Sequence, residues 1–313
     1  MRIFLRIGQR LAQVIGTAFL VSVIVFVLMH LLPGDPAEAL LGDRATPAAL
    51  AALRHEMGFD RSLLTQFGIY IEHLLTLRLG YSVTMQVPVA QLIAARLPVT
   101  LMLTMMAALL AIVIALPLAF AAALYEGRAI DIFVRLFCQL GLSMPIFYIG
   151  LVLLIGLAAG LHLFPVGGMG HGFFDDIPYM ILPALTLAIG LAAILMRNLR
   201  AGLIEALAAE YVAFATAKGL PRRLVLGRHV LRNALVSTLT LLGLQIGSLV
   251  GGAVITETVF AVPGIGQLMI ESIFARDYAV VEGLTVVIAV FVSVIFMAVD
   301  TLQALLDPRA AHT

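Results

Sequence analysis

The chain has 313 residues, of which 62% are hydrophobic and only 12% charged, and its net charge is +1. A soluble core of this size cannot hide so much apolar surface, so the surrounding solvent must be lipid. The near-neutral charge argues against a nucleic-acid partner, and the single cysteine, Cys138, excludes an intramolecular disulfide.

Six long apolar runs follow one another along the chain, and each can cross a hydrocarbon core of about 30 Å as a helix. Irregular backbone cannot face lipid, and the runs are too long for the strands of a barrel. The sequence therefore predicts an all-α polytopic membrane protein with six transmembrane helices. The runs are 11–32, 97–125, 136–160, 177–196, 234–256 and 283–299, the last continuing to about Leu306.

The distribution of basic residues predicts the orientation of these helices. With six spans and both termini on one side, that side holds thirteen of the nineteen Lys and Arg residues. Five of the other six lie in the long first outer loop, where charges count less. Both termini are therefore expected to be cytoplasmic, and the first span is expected to be retained because it is longer than the apolar part of a signal peptide.

We divide the chain into residues 1–32, an external cap at 33–96 and a core at 97–313. In the cap, Thr46 and Pro47 predict the start of a helix that continues over 48–57. A second, amphipathic helix is predicted over 60–77 from its apolar spacing of three to four residues. In the fifth run, Gly243, Gly247 and Gly251 predict a close helix contact, either within this subunit or with a partner.

The chain lacks the residues that several classes of function require. The chain has no phosphate-binding G-x-x-x-x-G-K-[ST] motif, no paired cysteines and no histidines at the spacing of a helical metal site, so no cofactor or metal is expected. A membrane-embedded enzyme would need a polar constellation that is not evident. Ion-coupled carriers need buried ionisable groups, and Asp300 is the only clear candidate. Uphill transport would therefore draw its energy from a partner.

The polar segment 205–233 is the natural place for that partner. Ala206 to Ala217 is rich in helix formers. Gly219 can adopt a left-handed conformation at the end of this helix, and Pro221 can begin another, so two short helices are predicted. A basic loop that interacts with anionic lipid is the alternative on physical grounds alone.

The segment from Glu210 to Leu220, followed by 228–234, resembles the cytoplasmic coupling loop of ABC-importer permeases, in the variant of the dipeptide, oligopeptide and nickel family. Of the general E-A-A-x-x-x-G motif, Ala215 and Gly219 match, whereas Ala213 and Phe214 do not. Further similar motifs cover nearly the whole chain. They are 31–36, 57–60, 142–145, 181–184, 259–266, 276–278 and 306–309, with Ala279 where the family usually has proline and Ile265 where it usually has leucine.

The resemblance implies a type I ABC-importer permease, the B-type subunit, in a bacterial inner membrane. Its implied partners are a sister permease, two cytoplasmic ATPase subunits that bind the ATP, and an external solute-binding protein. The outer segments 33–96 and 257–282 would meet that binding protein, and their surface is expected to be acidic. The residues expected to couple to the ATPase are Glu210, Tyr211, Ala213, Ala215, Ala217, Lys218, Gly219 and Leu220.

The transported substrate is less constrained. Di- or oligopeptides are expected, with nickel or a small solute such as glutathione as alternatives. A secondary carrier or a channel is the alternative outside this class, and it would function without an ATPase. Four polar residues could line the path, or could equally pack between helices. They are Tyr148, Gln245, Thr256 and Glu257.

Overall fold

The computed structural model describes residues 2–31, 46–56, 58, 60–76, 78–170 and 172–306. Within these ranges the chain forms helices joined by turns and one isolated antiparallel bridge, between Tyr81 and Pro88. In chain order the α-helices are α1 (Arg2–Leu31), α2 (Pro47–Glu56), α3 (Leu63–Leu75), α4 (Val89–Leu124), α5 (Ala129–Ser143), α6 (Ile146–Leu153), α7 (Phe173–Ala208), α8 (Glu210–Ala217), α9 (Arg222–Leu224), α10 (Arg232–Val259), α11 (Ile265–Phe274) and α12 (Tyr278–Leu306). Two π-helical stretches extend them: π1 (Leu154–Gly160) follows α6, and π2 (Val225–Leu231) joins α9 to α10.

Four helical segments among the described residues are long and apolar enough to cross a membrane. They are Val89–Leu124, Phe174–Ala208, Arg222–Val259 and Tyr278–Met297. These segments overlap four of the six apolar runs, and α12 is helical as far as Leu306, the last described residue. The first run coincides with α1, whose described apolar part, Ala12–Leu28, is shorter than a full span. Six crossings therefore stay a prediction.

The third predicted span is not one straight helix, and this part of the prediction is wrong. The segments Ala129–Ser143 and Ile146–Gly160 meet at an angle of 111°. Proline disfavours a helical conformation in the residue before it, and Met144 is accordingly extended, with φ −85° and ψ 133°. Pro145 also lacks the N–H that would continue the helical hydrogen bonds. Counting this bent pair as one crossing raises the number of candidate spans to five.

The chain divides into two compact units. The first consists of Met1–Val99 and Gly264–Val294. Its apolar core brings together buried side chains of α4, α11 and α12, among them Val89, Leu268 and Leu284. In the same unit, Phe67 of α3 packs edge-on against Phe26 of α1 with ring centroids 5.2 Å apart.

Both helices predicted in the external cap are present. The hydroxyl oxygen of Thr46 accepts a hydrogen bond from Ala49 N at 3.3 Å, and α2 begins at Pro47. Helix α3 is capped by the Ser62 hydroxyl, which accepts from Thr65 N at 3.3 Å. The predicted motifs at 31–36, 57–60 and 306–309 lie wholly or partly outside the described residues.

A buried carboxylate fixes the turn before α4 to the start of α12 within the first unit. Asp277 is fully buried, and its Oδ2 accepts hydrogen bonds from the hydroxyls of Ser82 at 2.6 Å and Thr84 at 2.9 Å. The Thr84 backbone N–H donates to the same oxygen at 3.2 Å. Charge-assisted hydrogen bonds of this kind are stronger than neutral ones, so they hold this turn in place.

The second unit consists of Thr100–Pro263 and Ile295–Thr313. Helix α7 is the most buried candidate span of this unit, since 67% of the residues in its most apolar stretch are buried. Arg200 of α7 donates two hydrogen bonds to the carboxylate of Asp131 on α5, from Nε at 2.5 Å and from Nη2 at 2.9 Å. Asp131 is only 1% exposed, so this bidentate pair joins α5 to α7 through a buried charge.

The glycines of α10 serve mostly for packing inside the second unit. A Cβ placed at Gly247 would lie 2.6 Å from Cζ of Phe296, and one at Gly252 would lie 3.0 Å from Cδ2 of Leu187. Gly251, in contrast, has no atom within 4 Å of that position. The helix contact predicted from these glycines is therefore internal to the subunit at Gly247, whereas Gly251 faces away from the described residues.

Candidate functional site

Helix α8 is a short helix between two sharp breaks in the chain. Ala209 is extended, with φ −72° and ψ 143°, and separates α8 from α7. At the other end Gly219 has φ +76°, the left-handed conformation that only glycine adopts without strain. Gly219 N donates to Thr216 O and Leu220 N donates to Ala215 O. This pair of bonds is a Schellman motif, so the predicted end of the first short helix is confirmed.

The second short helix predicted in this segment does not end where it was expected to. It begins at Arg222, after Pro221, but continues through π2 into α10 as part of the candidate span Arg222–Val259. A π-helical turn has one residue more than an α-helical turn and is common at functional sites. Between residues 209 and 233 the structure therefore has one separate short helix, α8, and then the beginning of a candidate spanning helix.

One side of α8 is packed against the rest of the second unit, where it contacts α7 and π2. Val212 and Ala215, three residues apart, are 8% and 5% exposed. The side-chain amide of Asn233, in the first turn of α10, donates a hydrogen bond to the Tyr211 hydroxyl at 3.0 Å and another to His229 O at 2.9 Å. Helix α8 is thus tied to the start of a candidate membrane-spanning helix by burial and by a hydrogen bond.

The other side of α8 is open and carries an aromatic patch. Phe214 is 63% exposed and Tyr211 is 42% exposed. The ammonium of Lys218 lies 4.5 Å from the centroid of the Phe214 ring, a cation–π contact. We call the exposed side chains Glu210, Tyr211, Ala213, Phe214, Ala217, Lys218 and Leu220 the α8 face. Exposed aromatic side chains beside a cation are typical of protein interfaces.

Exposed basic residues follow α8 along the chain. Four arginines of α9, π2 and α10 are exposed in the described structure: Arg222, Arg223, Arg228 and Arg232. Together with Lys218 they make this end of the unit positively charged. Charge of one sign around an interface speeds the association of a partner of the opposite sign and selects against partners of the same sign. The α8 face therefore suits a partner with an acidic rim.

Seven of the eight predicted coupling residues are exposed, and one is not. Ala215 is buried, so it positions α8 and does not present a surface. Two residues of the site, Phe214 and Asn233, were not among the predicted coupling residues. Asn233 could not be identified from local sequence because its partner, Tyr211, is 22 residues away. Phe214 could have been identified as the largest apolar residue on the polar side of the helix.

The four predicted path residues do not share one environment. Tyr148 on α6 is 48% exposed and Gln245 on α10 is partly exposed, whereas Thr256 and Glu257 are buried. The Thr100 hydroxyl donates a hydrogen bond of 2.5 Å to Oε1 of Glu257. Glu257 is therefore enclosed by its own unit in this structure.

Ionisable groups inside the apolar helices are more numerous than the sequence analysis expected. Asp131, Glu257 and Glu282 all lie within α-helices of the candidate spans. Glu257 and Glu282 directly flank the runs 234–256 and 283–299, and Asp131 lies five residues before the run 136–160. The helices continue beyond the apolar runs and so include these residues. The side chain of Asp300 is outside the described residues.

Comparison with known protein families gives two matches that together cover nearly the whole chain. Residues 115–312 match the model described as "Binding-protein-dependent transport system inner membrane component". Residues 1–104 match the model described as "Binding-prot-dependent transport system membrane comp, N-term".

Individual relatives agree with these family matches. A putative peptide transport system permease protein of Brucella suis biovar 1 is 36% identical over 309 residues, covering 97% of this chain and 98% of the relative. The glutathione transport system permease protein GsiC of Salmonella typhimurium is 34% identical over 304 residues, with the same coverage of 97% and 98%. A chain of the inward-facing MetNI methionine ABC transporter superposes with a TM-score of 0.57 at 17% identity, over 69% of this chain and 97% of that chain. The fold is therefore shared with an ABC transporter.

The anchoring of α8 can be tested by placing the same bulky side chain on its two sides. Ala215→Leu forces a larger side chain into a packed site and should lower the free energy of unfolding by about 1–3 kcal/mol. Ala213→Leu, on the exposed side, should change it by less than about 0.5 kcal/mol. Thermal unfolding of both variants in detergent measures the difference. Equal stability of the two would show that α8 is not packed as described.

Proposed function

The chain belongs to the family of binding-protein-dependent transport system inner membrane components, and on this basis we propose that α8 is where a cytoplasmic ATPase subunit drives it. As a permease subunit of an ABC importer, the chain carries substrate across the membrane and is not itself catalytic. ATP would be bound and hydrolysed by two partner ATPase subunits, and a sister permease and an external binding protein would complete the assembly.

The observation that carries this proposal is the two-sided environment of α8. Its aromatic face is open to a partner, while Val212 and Ala215 pack its other side against α7 and π2. At the edge of the exposed face, the Tyr211–Asn233 hydrogen bond ties α8 to the start of α10. A load on an unattached loop would move only the loop. A load on α8 moves π2 and α10 with it, as coupling between a remote ATPase and the spans requires.

The orientation that this proposal needs agrees with the basic residues. Six crossings with cytoplasmic termini place α8 in the cytoplasm together with Arg222, Arg223, Arg228 and Arg232. The same topology places α2, α3 and the α10–α12 connection outside, where a binding protein would dock. Two carboxylates of the predicted acidic outer surface, Glu257 and Asp277, are buried and do not contribute to it.

Peptides are the cargo that we propose. The support is the Brucella suis relative, which is named as a putative peptide permease and is similar over nearly its whole length. Glutathione, for which the Salmonella typhimurium relative is named, is itself a small peptide. A compound with a peptide backbone is therefore common to both relatives.

The coupling role predicts a specific loss when the aromatic patch is removed. Phe214→Ser should reduce substrate-stimulated ATP hydrolysis of the assembled transporter at least about tenfold, because aromatic interface residues often contribute 2 kcal/mol or more. Phe133→Ser is the matched control: Phe133 is a phenylalanine of similar exposure, 54%, on α5, outside both the α8 face and the proposed binding-protein surface. It should leave hydrolysis unchanged.

Hydrolysis in reconstituted vesicles with a binding protein present measures both variants. Full coupled hydrolysis in the Phe214→Ser variant would contradict the assignment of α8. Equal loss in both variants would instead indicate a general effect of removing surface phenylalanines.

The cargo is tested through the binding protein that co-purifies with the transporter. Mass spectrometry of the compounds released from that protein on denaturation should find di- or oligopeptides. A nickel chelate or a non-peptide solute in the binding site would overturn the peptide assignment while leaving the role of α8 intact.

A further inference from the structure

A polar cleft lies within the first unit, beside its apolar core. It has a volume of about 120 Å³ and lies between α3, the 78–80 segment and the first turns of α12. Its lining residues are Tyr70, His73, Leu74, Arg78, Leu79, Gly80, Ala279, Glu282 and Gly283. Four of these nine residues have polar side chains, although α12 is an apolar candidate span.

The polar side chains of the cleft are not used by the fold. The Tyr70 hydroxyl is a buried atom with no hydrogen-bond partner in the described part of the chain. Among the described residues, neither the Glu282 carboxylate nor the Arg78 guanidinium forms a side-chain hydrogen bond or an ion pair. Native structures satisfy nearly all of their buried polar groups, so unused groups around one space indicate a missing ligand.

Glu282 is the unusual member of this group. A carboxylate in an apolar spanning helix is expensive and marks a functional site more often than a structural one. Glu282 lines the cleft and forms no side-chain hydrogen bond or ion pair within the described ranges, so its carboxyl oxygens can accept hydrogen bonds from a ligand.

Tyr70 completes the inner part of the cleft. Burial, together with the nearby Glu282 carboxylate, raises the pKa of the Tyr70 hydroxyl. At neutral pH the hydroxyl is therefore protonated, and it can both donate and accept. The Ser22 hydroxyl is nearby but donates its hydrogen bond to Ala18 O, at 2.7 Å. A primary ammonium has three N–H donors and no acceptor, so it matches a carboxylate beside a hydroxyl oxygen.

The outer part of the cleft has the opposite charge. Arg78 is exposed, whereas Tyr70, Ala279 and Glu282 are partly buried. A guanidinium presents a planar set of donors that binds phosphate or carboxylate with two parallel hydrogen bonds. The cleft thus offers an anionic acceptor inside and a cationic donor at its rim, without an ion pair between them.

We infer that this cleft binds a small zwitterion, with its primary ammonium at Glu282 and Tyr70 and its phosphate or carboxylate at Arg78. The ethanolamine phosphate headgroup of a membrane lipid has this chemistry, and so does a free dipeptide. Leu74 and Leu79 line the cleft as well and suit the apolar part of such a ligand. The site does not involve α8, and it stands whether or not α8 docks an ATPase.

One feature makes the cleft particular to this chain. Ala279, on its wall, is the position where the resembling family usually has proline. The methyl group of Ala279 would lie 3.6 Å from a Cβ placed at Gly80, so the two walls approach closely here. A change of side chain at Ala279 therefore alters the shape of the cleft directly.

The test is a titration of the full-length chain in detergent, followed by isothermal calorimetry. The probes are dihexanoyl phosphatidylethanolamine, dihexanoyl phosphatidylcholine, O-phosphoethanolamine and L-alanyl-L-alanine. Phosphatidylethanolamine should bind saturably, and phosphatidylcholine at least about tenfold more weakly, because its quaternary ammonium has no N–H donor.

Variants separate the site from general effects on the protein. Glu282→Gln and Tyr70→Phe should each weaken binding of phosphatidylethanolamine by about tenfold or more, and Arg78→Gln should weaken binding of both lipids. Glu72→Gln is the matched control, since Glu72 is an exposed carboxylate of α3 outside the cleft. It should bind as the unchanged chain does.

Each outcome decides between the sources of the ligand or rejects the site. Binding of the lipid but not of the two soluble probes assigns a lipid headgroup. Binding of L-alanyl-L-alanine or O-phosphoethanolamine with the affinity of the lipid assigns a soluble zwitterion. Absence of saturable binding by all four probes overturns the inference, and so does unchanged binding in both the Glu282→Gln and the Tyr70→Phe variants.

Discussion

The structure of the candidate site depends on the attachment of α8 to the helix that follows it. The Tyr211–Asn233 hydrogen bond of 3.0 Å joins the edge of the exposed face to the first turn of α10, and Val212 and Ala215 are buried on the other side of α8. Both contacts come from residues near the two breaks at Ala209 and Gly219. At these two breaks the helical conformation of the backbone is interrupted. Side-chain contacts therefore set the position of α8 against its neighbours. The α8 face is the side of the helix that these contacts leave uncovered.

A second contact extends this attachment into the rest of the second unit. Arg200 lies on α7, the helix that precedes α8, and its bidentate pair with Asp131 joins α7 to α5. Breaking a buried ion pair by removing one partner typically costs about 3–5 kcal/mol, so the two helices are expected to move together. Helices α5, α7 and α10 thus form a connected frame around the base of α8, and the proposed drive at α8 would act on that frame.

Much of the fold could be predicted from the sequence, because lipid imposes helices on long apolar runs. Local chemistry also predicted the helix start at Pro47 and the left-handed end at Gly219. The bend at Met144-Pro145 was missed because the apolar run continues through it, although the proline carried the signal. The partners of Asp277, Glu257 and Tyr211 could not be predicted, since each lies far away in sequence. The burial of Ala215 required the helix to be placed against its neighbours.

The most direct test of the central claim is a cross-link from the α8 face. In a transporter assembled with its ATPase subunits, a cysteine at Ala213 should form a cross-link to an ATPase subunit, while one at Ala49 on α2 should not. The native Cys138 is buried and should not interfere. An impermeant thiol reagent added to intact cells should label the cysteine at position 49 and leave the one at position 213 unmodified. Labelling at position 213 from outside, together with no cross-link, would contradict the account.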